Sequence, residues 1–107
     1  MNYKVIWNKS AIDSLNEIID YIIENQSINA GYNVYTNIKE RAELLIMSPK
    51  QGRVVPEIKL YTDMYREVFY KYWRIIYRVE NDLVKILLII DARMDLEELL
   101  YEKLIKL

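Results

Sequence analysis

Residues 83–90 read Leu-Val-Lys-Ile-Leu-Leu-Ile-Ile, apolar at every position but Lys85. Such a run fits a central strand covered on both faces. The segment before it, Trp73-Arg74-Ile75-Ile76-Tyr77-Arg78-Val79, alternates with period two. Trp73, Ile75, Tyr77 and Val79 share one face, and Arg74, Ile76 and Arg78 the other. Glu80-Asn81-Asp82 between the two segments has the length and polarity of a hairpin turn. A sheet needing cover on both sides is therefore the frame that the rest of the chain has to satisfy.

The remaining segments supply that cover. Tyr3-Lys4-Val5-Ile6-Trp7 alternates and carries β-branched and aromatic residues, which predicts an N-terminal strand. Ser10 and Asp13 form a capping box ahead of Ala11, Leu15, Ile18 and Ile22, the stripe of an amphipathic helix. After a short break at Asn25-Gln26-Ser27, Ala30, Val34, Ile38, Ala42 and Leu45 mark a second helix. It ends at Ser48-Pro49, because the residue before proline is driven out of the helical region. So short a connection predicts an antiparallel helical hairpin. Residues 49–56, punctuated by both prolines and Gly52, read as turn and extended chain, and Met64–Tyr70 as a further strand. Asp95 and Glu98 would cap a last helix bearing Leu96, Leu99, Leu100 and Leu104. The expected fold is α+β over residues 1–107 as one domain. In order β-α-α-β-β-β-α, an antiparallel helical hairpin packs on a curled, mainly antiparallel sheet, and a C-terminal helix follows.

Composition excludes much chemistry. The 107 residues contain no histidine and no cysteine. Disulfides, thiol nucleophiles, Cys-ligated zinc, HExxH sites and Ser-His-Asp triads are therefore ruled out. No carboxylates are spaced as a metal site, and no phosphate loop, dinucleotide fingerprint or nucleophile elbow is present, so neither metal nor cofactor is expected. The N-terminus lacks the regions of a signal peptide and no run approaches membrane-spanning length, which predicts a cytoplasmic protein without a membrane partner. Net charge is −1, divided as −2 over residues 1–49, +4 over 50–78 and −3 over 79–107. The basic middle is a candidate anion-binding surface, although ordinary solvated strand faces would look the same.

Within these zones the arginines are the informative residues. Arg66, Arg74 and Arg93 fall on successive elements, and strands paired in sequence order could bring them to one face or edge. A planar guanidinium fork suits phosphate or carboxylate. Internal salt bridges to Glu67, Asp91 or Asp95 are the plainer alternative, favoured for Arg74. Among the aromatics, Trp7, Phe69, Trp73 and Tyr77 are expected in the core, while Tyr32, Tyr61, Tyr70, Tyr72 and Tyr101 are less clearly internal.

Several segments, in order and over almost the whole chain, resemble the RelE/ParE superfamily of bacterial type II toxin–antitoxin toxins. They are Tyr3–Trp7, the Ala11…Leu15…Ile18…Tyr21-Ile22 helix, Ser48-Pro49-Lys50-Gln51-Gly52-Arg53-Val54-Val55-Pro56-Glu57 and Tyr65-Arg66-Glu67-Val68. Trp73–Val79 and Val84–Leu87 leading to Ala92-Arg93 complete the set. The G-R-x-V-P-E run and the long helical hairpin are closer to the ParE branch. The resemblance implies a growth-inhibiting toxin, associated with plasmid stabilization and neutralised by a cognate antitoxin that wraps it, with a possible homodimer when free. ParE-like members block DNA gyrase, and the partner-binding candidates are Arg53, Arg66, Arg74 and Arg93. RelE-like members instead cleave mRNA on the ribosome without metal; Arg66, Arg74, Arg93 and Tyr101 match that catalytic set. A third possibility is a non-catalytic interaction module using its C-terminal leucine stripe as an interface. Asp91 stands where many members carry histidine, and a carboxylate there would repel phosphate and tie up Arg93.

Overall fold

The computed structural model describes residues 2–93 and 96–106. β1 (Lys4–Trp7) leads into α1 (Lys9–Asn25) and α2 (Ile28–Glu43), which continues as a tighter helical turn at Leu44–Ile46. β2 (Arg53–Val54), a short turn at Pro56–Ile58, β3 (Tyr65–Tyr70), β4 (Trp73–Glu80) and β5 (Leu83–Asp91) follow. The chain then forms α3 (Glu97–Leu100), extended by a wider π-helical turn at Tyr101–Ile105. Five strands make one sheet in the order β1-β5-β4-β3-β2, antiparallel except for the parallel β1–β5 pair. The fold is the α+β arrangement expected, with one strand more. β2 is two residues long and ends just before Pro56, too short to leave a periodic signal.

Both faces of the sheet are covered. On one, Ala11, Leu15, Ile22, Val34, Ile38, Ala42 and Leu45 of the helical hairpin bury Val68, Trp73, Ile75, Tyr77, Val84, Ile86 and Ile89. On the other, Leu96 and Leu100 join Val55 and Ile58 over Ile76 and Leu88, with Leu99 and Leu104 packed alongside. The C-terminal leucine stripe is thus mostly core, not the free interface the third reading required. The apolar run of β5 has a local cause. Tyr77 opposes Ile86 and Ile76 opposes Leu88, leaving Leu87 as an unpaired bulge. The extra residue reverses the alternation, so Val84, Ile86 and Ile89 meet the hairpin while Leu88 and Ile90 meet the C-terminal helix.

Three local expectations change. The first helix begins at Lys9 with Asn8 as its N-cap, which places Ser10 inside the first turn and leaves the expected box unformed. Ser27 is the side chain that caps, its Oγ accepting from the Ala30 amide at 3.0 Å at the start of α2. Phe69, expected in the core, is 38% exposed and lies beneath the Arg53 guanidinium at 5.2 Å. The Asp95 cap falls outside the described residues. Among those described, no helix is long and apolar enough to cross a membrane.

Gly52 is fixed by close approach. A Cβ there would lie 2.5 Å from the Glu67 carbonyl oxygen and 2.7 Å from the Tyr77 hydroxyl. At Gly31 the added carbon meets side chains and no backbone, Ile23 Cγ1 at 2.6 Å nearest, on a segment that is already helical. Gly52→Ala is therefore expected to cost about 1–3 kcal/mol in urea unfolding, and Gly31→Ala clearly less, since alanine favours the helix. Equal losses would contradict this reading of the Gly52 contact.

Candidate functional site

The expected arginines do not converge. Arg66 opposes Tyr77 across β3–β4 and shares the hairpin-side face with Val68, whereas Arg74 opposes Phe69 on the other face. Arg93 lies just past the end of β5. Each has its own environment, and each environment states what the side chain can do.

Arg74 is only 3% exposed. Its Nε donates to Glu67 Oε1 at 2.5 Å and its Nη2 to Glu57 Oε1 at 2.7 Å, while Nη1 bonds the second Glu57 oxygen. Glu67, fully buried at its side chain, also accepts from Arg53 Nε at 2.6 Å. β2 pairing with β3 sets Arg53 directly opposite Glu67, and proline at the start of the Pro56–Ile58 turn carries Glu57 over the sheet. A desolvated charge has to be paired to persist, and here two carboxylates bracket one guanidinium. Burial pulls the Arg74 pKa down, yet the hydrogen bonds to Glu57 and Glu67 outweigh it and raise it. The Arg74 hydrogen bond holds the Glu57 carboxyl below its ordinary value. Arg74, expected to bind a partner or cleave RNA, is sealed inside the domain in this state. Arg53 ends the chain of charges with its side chain 57% exposed, stacked on Phe69.

Arg66 serves the turn before β2. Its Nη1 donates to the Gly52 carbonyl at 2.8 Å and reaches the Lys50 carbonyl at 3.4 Å. From beneath, the Tyr77 hydroxyl donates to the Pro49 carbonyl at 2.7 Å and accepts from the Gly52 amide at 3.0 Å. Burial pushes the Tyr77 pKa up, which keeps the hydroxyl a donor. The turn is clamped from both sides and presents Arg53 at its end.

Arg93 sits at a corner of the sheet. Its Nε lies 3.0 and 3.2 Å from the two Asp91 oxygens, its Nη2 2.7 Å from Oδ2, and its backbone amide donates to Oδ1 at 2.8 Å. The guanidinium lies 3.8 Å above the Tyr72 ring, and Tyr72 packs on Trp73 at 4.4 Å. The hydrogen bond to Arg93 lowers the Asp91 pKa, and the same bond raises that of Arg93. A groove of about 570 Å³ opens beside this corner, walled by Ser14, Glu17 and Ile18 of α1 and by Leu99 and Lys103 of the C-terminal segment. Tyr101, the remaining candidate, is 37% exposed and rests against Tyr61 at 5.2 Å.

Glu57 and Tyr77 carry more of this arrangement than the sequence suggested. Glu57 stood out only within the G-R-x-V-P-E run. Its pairing with Arg74 crosses from a turn to a strand 17 residues on, a separation no periodicity reports. Tyr77 fits its strand's alternation, and nothing in that pattern marks its hydroxyl.

The charge pairs make a graded prediction. Glu67→Ala leaves Arg74 and Arg53 without their shared buried partner and is expected to cost roughly 3 kcal/mol in chemical unfolding. Glu57→Ala costs less, because the Glu57 side chain is 24% exposed. Glu57 also shapes the acid limb. Its folded-state pKa is lowered, so its contribution is complete above the ordinary glutamate pKa of about 4.3 and is lost as pH falls through the depressed value. Glu57→Gln should flatten that loss below about pH 4.3; an unchanged acid limb would refute the assignment.

Comparison with known proteins shows the family. Residues 5–96 match the family model described as the ParE toxin of the type II toxin-antitoxin system, parDE. A solved structure from the chromosomal ParDE toxin-antitoxin system of P. aeruginosa superposes with a TM-score of 0.72 at 18% identity. It covers 85% of this chain and 97% of that one. No curated protein has a matching sequence. The family match spans β1 through the start of the C-terminal segment, and on that match the chain belongs to the ParE toxin family.

Proposed function

We propose that this chain is the growth-arresting toxin of a type II toxin–antitoxin pair, held by a cognate antitoxin and acting in the cytoplasm by binding DNA gyrase. The observation that carries this over RNA cleavage is the burial of Arg74 between Glu57 and Glu67. Phosphoryl transfer needs cations aimed at one developing charge. Arg74 faces inward, Arg66 is spent on turn carbonyls, Arg93 is engaged by Asp91, and Tyr101 rests on Tyr61. What remains outward is a set of separated contacts, Arg53 and Arg93 foremost, which suits recognition of another protein.

Purified protein is expected to inhibit gyrase supercoiling in a dose-dependent way, and induced expression to arrest growth with a DNA-damage response while mRNA stays intact. Unaffected supercoiling at stoichiometric excess over gyrase would remove the target. Codon-specific mRNA cleavage in a translating extract would move the chain to the RelE-like reading, with Arg66, Arg74, Arg93 and Tyr101 as its catalytic set.

A further inference from the structure

We infer that Asp91 is an internal competitor at Arg93, filling in the free protein a place that a carboxylate of the protein partner takes on binding. This rests on the reading of Arg93 as a partner contact. A guanidinium held over an aromatic ring, with its donor edge turned to a carboxylate, is a receptor for that group, and here the receptor is closed by a residue two positions away. The Arg93 side chain is 64% exposed and that of Asp91 25%, so the pair stands at the surface, where ion pairs contribute little and exchange readily. Lys103, the second cation on the groove, makes no side-chain hydrogen bond or ion pair among the described residues.

The groove decides what can displace Asp91. Ile18 and Leu99, both half-buried, line it above the already buried Ile22 and Leu88, and covering the first two adds to any ligand that brings apolar side chains beside its carboxylate. A free anion gains nothing from them. Glu17 and Asp91 line the same groove and disfavour a polyanion such as nucleic acid, while Asp13 is already paired with Lys9 at 2.7 Å. The occupant is accordingly an amphipathic protein segment in which a glutamate or aspartate sits among apolar residues. It reaches Arg93 only as Asp91 turns aside.

Acetate serves as the probe, titrated into the full chain at constant ionic strength while NMR follows the Tyr72 ring and the Ala92 amide. Half-saturation is expected at a concentration about fivefold lower in Asp91→Asn than in the wild type. Asp91→Asn/Arg93→Ala is expected to show no saturable response. Coincident wild-type and Asp91→Asn curves, or a response that survives loss of Arg93, would overturn the inference. A tighter response to inorganic phosphate than to acetate would overturn the carboxylate assignment. Asp91→Ala guards against a local effect of asparagine; if both variants unfold, the pair is structural and the inference fails. Neither gyrase nor antitoxin enters this measurement, so its failure is separable from failure of the toxin reading.

Discussion

Burying the Glu67 carboxylate is the constraint around which this molecule is arranged. A charge removed from water on a central face of the sheet is tolerable only where partners reach it from fixed directions. Arg74 comes from the neighbouring strand and Arg53 from the edge strand, and Glu57 neutralises the excess cation from the turn above. The two-residue β2, otherwise a minor element, exists in register with Glu67 because Arg53 must stand there. Gly52 follows from the same fit, as a side chain there would run into the Glu67 carbonyl.

That network divides the arginines by role. Arg74 and Arg66 spend their donors on the protein itself, and Arg53 is the outward terminus of a charge chain that begins in the interior. Arg93 is held by a different device, an aromatic platform and a nearby carboxylate, at a corner bordered by a groove. Among the described residues, these four arginines do not converge on one point as the cations of a phosphate site would.

Much of the fold was legible because it follows periodicity. The alternation of Trp73–Val79, the stripe Ala11-Leu15-Ile18-Ile22 and the break at Ser48-Pro49 report directly which side chains are covered. The apolar run of β5 announced burial on both faces, yet gave no hint of the bulge at Leu87, since leucine fits either side. The site was legible in residue types and opaque in arrangement. Arg66, Arg74 and Arg93 invited a shared surface. Their faces depend on register and strand parity, and the fate of Arg74 depends on Glu57, which reaches it across a turn. Phe69 lies on the strand face of Glu67 and opposite Arg74, where charged side chains take the interior, and its ring meets Arg53 of β2, the element that local pattern could not reveal.

The bulge also governs how this strand tolerates changes in chain length. Removing one member of the Leu87-Leu88 pair would restore plain alternation, with Val84, Ile86 and Ile89 still toward the hairpin and Ile90 still opposite. Evolution thus has a spare link here, one that can be dropped or kept while both interiors stay filled.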